Sequence, residues 1–155
     1  MINDVSRAYF YAEATRCMYI ELPKEDPFYD PNIVGRLRLC LCGTGDAALN
    51  LQQTLSDHFE ENGFRRGVGH PSVFYHTARD MWALVHGDDH CSAGTSQSPD
   101  WIEDIFTQKH ETKTQRVGRG KTRSGGEKNT KGQVLNRVVR RTDNGFELEA
   151  DLRHA

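Results

Sequence analysis

No Cys-x-x-C pair occurs among the four cysteines, Cys17, Cys40, Cys42 and Cys91. That argues against a zinc ribbon and against a thioredoxin-like redox pair. Reduced thiols in an intracellular setting are the default expectation. No apolar run approaches the ~18–20 residues that a membrane-crossing helix needs, so a spanning protein is not expected. The N-terminal Met1-Ile2-Asn3-Asp4 has the character of neither a signal peptide nor a transit peptide. The expected compartment is therefore the cytoplasm or the nucleus, with no secretion and no membrane partner. Apolar side chains are scarce as well: 36% of the 155 residues are hydrophobic, 9% are aromatic, and the mean hydropathy is −0.72. The chain has the length of one domain with a small core, and no internal repeat is found.

Charge is abundant but unevenly spread. Residues 1–108 carry 8 Lys+Arg against 16 Asp+Glu, and residues 109–141 carry 11 basic residues against 2 acids. An acidic body with one basic segment fits a polyanionic partner at that segment, or else a solvated basic loop.

Periodicity places the elements. Short strands are predicted at 16–22 and 34–42, broken by Pro23, Pro27 and Pro31. Residues 44–62 read as a helix, with Ala47, Ala48, Leu51, Leu55 and Phe59 on one face, Thr44 or Asp46 as cap, and Gly63 at the left-handed C-terminal position. A meander follows: strands at 71–76 and 81–86, a Gly87-Asp88-Asp89 turn, and a strand at 90–93. Residues 99–109 read as a second helix, with Trp101, Ile102, Ile105 and Phe106 inward, Ser98 as cap and Pro99 at the first helical position. Segment 116–132 has five Gly, six basic residues and little that is apolar, so it reads as a mobile loop. Residues 133–141 and 146–150 read as a C-terminal hairpin around Asp143-Asn144-Gly145.

The chemistry concentrates at Val85-His86-Gly87-Asp88-Asp89-His90. Two adjacent acids flanked by apolar strands are costly to bury unpaired, and a pair of divalent cations resolves that cost. Such a pair, about 3.5–4 Å apart, also needs a further acid from another strand. A metal-dependent hydrolase using His86, Asp88 and His90 is a second reading, because imidazole with carboxylate suits zinc or manganese. A third is a non-catalytic nucleic-acid-binding remnant, in which Arg116, Arg119, Lys121, Arg123, Lys128 and Lys131 contact phosphates without reading sequence.

Several landmarks, in order, resemble one family. Asp4-Val5-Ser6-Arg7-Ala8-Tyr9-Phe10 is similar to the first palm motif, Asp-Val-Lys-Thr-Ala-Phe, of copia-type retrotransposon reverse transcriptases. Met18 to Pro23 resembles the Tyr-Met-Glu-Gln-Pro stretch that follows, and Leu41 to Ala48 the Leu-Tyr-Gly-Leu-Lys-Gln-Ala-Pro motif. Gly63-Phe64 through Tyr75, the acidic box with Ala93-Gly94 after it, and Leu135 to Val139 match further landmarks. The resemblance implies an α+β polymerase palm: an antiparallel sheet backed by helices, with a C-terminal β-hairpin. It divides the chain into a palm fragment (1–113), a basic flexible loop (114–132) and the palm's C-terminal hairpin (133–155).

The implied activity is RNA-directed DNA synthesis by two-metal nucleotidyl transfer. Asp4 and Asp88, with Asp89 beside them, would hold two Mg²⁺ (or Mn²⁺) ions. Tyr9 would be the steric gate under the incoming sugar, and Lys113 would lie near the triphosphate. The implied partners are an RNA template, a DNA primer and deoxynucleoside triphosphates. Fingers and thumb from a longer polyprotein are implied too, since the chain resembles a palm cut at both ends. Two departures stand out. Gly45 and Asp46 occupy the places of the family's Lys and Gln, and His86-Gly87 the place of Tyr-Val before the acids.

Overall fold

The computed structural model describes residues 1–95 and 98–150. In chain order the strands and helices are β1 (Ile2–Val5), β2 (Tyr19–Glu21), β3 (Val34–Arg36), α1 (Ala47–Glu61), β4 (Arg65–Arg66), β5 (Val73–His76), β6 (Met81–His86), β7 (Asp89–Gly94), α2 (Ser98–Thr107), β8 (Thr112–Gln115), β9 (Lys131–Val134), β10 (Arg137–Thr142) and β11 (Gly145–Leu148). The fold is α+β. Its centre is a six-stranded antiparallel sheet in the order β4-β5-β6-β7-β1-β8. A two-stranded β2-β3 ribbon and a three-stranded sheet, β11-β10-β9, complete it.

Alternation decides the two faces of the central sheet, because successive strand residues point to opposite sides. In β6, Met81, Ala83 and Val85 are buried while Trp82 and His86 are exposed. The buried face continues through Asn3 and Val5 of β1 and His90 and Ser92 of β7. Both helices cover this face. Leu51, Leu55 and Phe59 of α1 and Ile102, Ile105 and Phe106 of α2 share one core cluster with Val5, Phe74, Ala83 and Val85. Phe59 is the hub: its ring lies 4.9 Å from Phe64, 5.0 Å from Phe74 and 5.3 Å from Phe106. Rings at these spacings add attraction beyond the area they bury.

The helix stripe differs from expectation at three positions. Ala48 is exposed, and Ser56 and His58 join the buried side. The start of α1 also differs. Asp46 is the N-cap residue but its carboxylate makes no cap bond; it accepts two bonds from the Arg16 guanidinium, at 2.9 and 3.0 Å. The end matches expectation, with Gly63 at φ +85° directly after the helix, where a side chain would be strained.

The C-terminal sheet lies on the other face of the central sheet. Gly132 of β9 makes this close approach possible: a Cβ there would sit 2.8 Å from Ile2 Cδ1 and 2.7 Å from Val117 Cγ2. The expected hairpin is thus a three-stranded sheet. The single strand read at 133–141 is cut by a two-residue turn, Leu135-Asn136, both at positive φ (50° and 60°), with Val134 paired to Arg137 across it. Nothing marks Leu as a residue for that conformation, so the turn is silent in the sequence. Residues 151–155 of the segment read as a hairpin lie outside the described residues. Strand β8 was not anticipated either, because Thr-Lys-Thr-Gln has no apolar alternation. β6 has the bounds read for it and β7 is longer by a residue at each end, whereas β5 is shorter and β2 and β3 are shorter by several residues each.

Segment 116–132 is tied to the body. It carries bridges between Val117 and Asn129 and between Lys121 and Glu127. Arg116 pairs with Asp100 and Glu103 of α2, and Arg123 with Asp104. No helix among the described residues is long and apolar enough to cross a membrane.

Candidate active site

Sheet order brings the two ends of the acidic constellation together. β1 lies between β7 and β8, so Asp4 has Asp89 as its register partner on one side and Lys113 on the other. Residues directly opposite each other in an antiparallel pair share a face. Asp4, Asp89 and Lys113 therefore form one row on the face away from the helices, and they line a common cleft of about 270 Å³. Asp4 and Lys113 are exposed and Asp89 is half-buried.

The position of the β6–β7 turn decides which acid faces Asp4. The turn residues are Gly87 and Asp88, since His86 pairs with Asp89. Gly87, at φ +61°, supplies the positive φ that a tight two-residue hairpin requires at its first central position. Asp89 consequently starts β7 instead of belonging to the turn. Asp88 sits exposed at the tip, with its carbonyl accepting the Val5 N–H at 3.1 Å.

The cleft's far wall is the β9–β10 turn. Gln133, Val134, Leu135 and Asn136 line it, and the Leu135 N–H donates to Asp89 Oδ2 at 3.3 Å. No side chain signals this contact, because the donor is backbone. Under the row, Asn3 is 1% exposed, and its Nδ2 donates to Thr114 Oγ1 at 2.9 Å, fixing β1 against β8. Its signal in the sequence is only that a polar residue interrupts the apolar start of β1.

His86 and His90 are separated by the same register. His86 shares the exposed face with Asp89, whereas His90 pairs with Val85 on the helix side and is 2% exposed. Neither His90 ring nitrogen has a hydrogen-bond partner among the described residues. Burial lowers its pKa from 6.5 to about 3; His110 adds to the shift, and the Asp88 carbonyl opposes it least. His90 is a neutral core residue, so His86, Asp88 and His90 do not converge on one ion as the hydrolase reading requires.

Tyr9 lies on the 3₁₀ turn Ala8–Tyr11 directly after β1. It is half-buried and packs against the core cluster. Of the basic residues assigned to phosphate contact, Arg116 is 10% exposed in its side chain and held by two carboxylates, Arg123 pairs with Asp104, and Arg119 with Asp143. Lys121, Lys128 and Lys131 have no carboxylate partner among the described residues. The Asp46 carboxyl is held at about 2, chiefly by the Arg16 hydrogen bonds. It stands as an ion-paired anion where the family pattern has an amide.

The donor set tests the metal. Asp4 and Asp88 accept no side-chain hydrogen bond among the described residues, and Asp89 accepts one. Their oxygens are hard ligands on an open face, but among the described residues no group of three or more His, Cys, Asp or Glu is placed to hold a metal ion, Asp4, Asp88 and Asp89 included. Magnesium is commonly held by one or two carboxylates, with water and substrate phosphate completing its shell. The register pair Asp4 and Asp89 fits that partial role, as two carboxylates and not three.

No family model, curated protein or solved structure matches the chain.

Proposed function

We propose that the chain is a reverse-transcriptase palm fragment of the copia type, with the carboxylate row as its nucleotidyl-transfer site. The observation that carries this reading is the cross-strand pairing of Asp4 with Asp89, 85 positions apart, beside a lysine. The ordered landmarks from Asp4 to Val139 support it, as does a meander that brings the acidic turn next to the first strand.

Asp4 and Asp89 present their carboxylates to the same side of the sheet; Asp88, exposed at the adjacent hairpin tip and outside the cleft's lining, is the third acid that the resemblance implies. Bound there, two Mg²⁺ (or Mn²⁺) ions would supply Lewis-acid activation of a primer 3′-hydroxyl and neutralise charge on the triphosphate. The Leu135 N–H steadies the Asp89 carboxylate through one oxygen and leaves the other free. Lys113 offers its ammonium on the opposite flank of Asp4, where a triphosphate would carry its negative charge. Tyr9 follows the first acid by five residues and serves as the wall beneath the incoming sugar. The substrates are deoxynucleoside triphosphates on an RNA template and DNA primer, with fingers and thumb contributed from outside this chain.

The test is Mg²⁺-dependent extension of a DNA primer on poly(rA), using the chain supplemented with fingers and thumb segments. Asp88→Asn is isosteric and exposed, so folding is retained, and extension is expected to fall at least about a hundredfold, the loss of a few kcal/mol of metal-borne stabilisation. Undiminished extension in that variant removes the two-metal assignment.

A further inference from the structure

The face that carries the carboxylates also carries an aromatic row at its other end. Arg65 of β4 pairs with Tyr75 of β5, Tyr75 with Trp82 of β6, and Trp82 with Ala93 of β7. Register partners share a face, so a cation, a phenol and an indole run side by side across the sheet. The Tyr75 and Trp82 rings are 4.5 Å apart at 37°. Trp82 is 54% exposed, an unusual placement for the largest apolar side chain in a protein this poor in apolar residues. Tyr75 does not swing freely, because its hydroxyl donates to Asp80 Oδ1 at 3.0 Å.

The positive charge lies beside the rings. β4 is an edge strand made of Arg65 and Arg66 alone. Arg66 is committed, with its Nε donating to the Pro71 carbonyl and its guanidinium over Phe74 on the helix side. Arg65 is exposed and has no carboxylate partner among the described residues. An exposed indole braced by a half-buried phenol and flanked by an unpaired guanidinium is a combination that suits single-stranded nucleic acid: a base stacks on the exposed ring and the cation tracks the phosphate. Trp82 and His86 are four residues apart on β6, roughly 13 Å at strand spacing, the length of about four stacked nucleotides.

The geometry points to Trp82 and Tyr75, with Arg65, as a stacking platform for a single-stranded nucleic acid lying across the sheet toward the carboxylate row. It rests on the nucleic-acid reading above for the class of ligand, but it requires no metal and no catalysis.

The experiment uses the full chain in EDTA, so that the carboxylate site plays no part. Trp101→Phe leaves Trp82 as the sole tryptophan of the two present. Its emission is followed while oligo(dT) or an abasic oligomer of equal length is added. Quenching by oligo(dT) with little from the abasic strand is expected, and equal quenching by both overturns the platform. In parallel, fluorescein-labelled oligo(dT) anisotropy on the otherwise native chain compares Trp82→Ala, Tyr75→Ala and, as a control, Glu25→Gln at an exposed loop position, which does not depend on the Trp101 variant folding. Trp82→Ala is expected to weaken binding roughly tenfold or more, with Glu25→Gln no weaker than the native chain. Unchanged affinity in Trp82→Ala overturns the proposal. So does sedimentation showing that Trp82→Ala abolishes a dimer, which would give the surface to a second copy of the chain. Stacking intact with extension lost, or the reverse, separates this inference from the catalytic one.

Discussion

Asp46 and Asp89 illustrate how a residue's neighbours decide what a carboxylate does. Asp46 stands at the head of a helix, where an acid favours the local dipole, yet its oxygens are both taken by Arg16. Asp89 gives one oxygen to a backbone N–H and keeps the other toward a cleft. Only the second arrangement leaves a ligand for an incoming cation. The same reasoning applies to Tyr9, whose ring packs on the core on one side while remaining half-exposed. If it is the wall beneath the sugar, Tyr9→Ala should raise the ratio of ribonucleotide to deoxyribonucleotide incorporation about tenfold or more, since a steric clash with one hydroxyl is what it supplies. Single-nucleotide extension with paired dNTP and rNTP titrations measures that ratio, and an unchanged value would reduce Tyr9 to a packing residue.

At the scale of elements, the β9–β10 hairpin does two jobs: it covers part of the second sheet face and it aims an N–H at Asp89. Its turn is built with Leu135 at φ 50° and Asn136 at φ 60°, a two-residue arrangement that strongly prefers Asn-Gly or Asp-Gly. A leucine held in the left-handed region costs on the order of 1 kcal/mol. Leu135→Asn should therefore stabilise the chain by about 0.5–1 kcal/mol, seen as a rise of roughly 1–4 °C in thermal midpoint. The backbone donor to Asp89 survives this change, so any activity should be preserved. A lowered midpoint would mean that the Leu135 side chain contributes packing that outweighs its backbone strain.

For the molecule as a whole, three buried histidines tie stability to pH. His58, His90 and His110 are 5%, 2% and 6% exposed, and they surround Phe106 with ring centroids 6.1, 5.0 and 6.1 Å from it. Burial is the leading cause of a lowered pKa in each, from 6.5 to about 3 for His90 and to about 4 for His110. Unfolded, each takes a proton near pH 6.5; folded, each resists until a lower pH, His90 and His110 until about 3 and about 4. The unfolded state thus binds more protons between these limits, and stability must rise with pH there. The full contribution is present above about pH 6.5 and is lost as pH falls toward the folded values. Thermal midpoints should drop steadily from pH 7 to pH 4.5. His90→Leu, which removes one such group, should flatten that slope by about 1.4 kcal/mol per pH unit. A slope identical to the native chain's would place the acid sensitivity elsewhere.

The residues alone determined the helices, the meander and the acidic turn, because each rests on short-range chemistry: an apolar stripe at 3.6-residue spacing, alternation, and a glycine that tolerates positive φ. Asp4 and Lys113 joined Asp88 and Asp89 only through the resemblance to the copia-type family. Local pattern could not say that β8 exists, since its four polar residues are held by pairing to β1 and carry no periodicity of their own. Nor could it find the Leu135-Asn136 turn, where tertiary packing around Gly132 overrides what leucine prefers. Above all, the resemblance gave Asp88 the leading place with Asp4 and set Asp89 beside them. Register made the difference: pairing His86 with Asp89 put one acid opposite Asp4 and the other at the hairpin tip, and sent His90 into the core. A shift of one residue would have exchanged those faces, because strand side chains alternate with a period of two. The sequence supplied the chemistry of the row, and only the order β7-β1-β8 brought its members side by side.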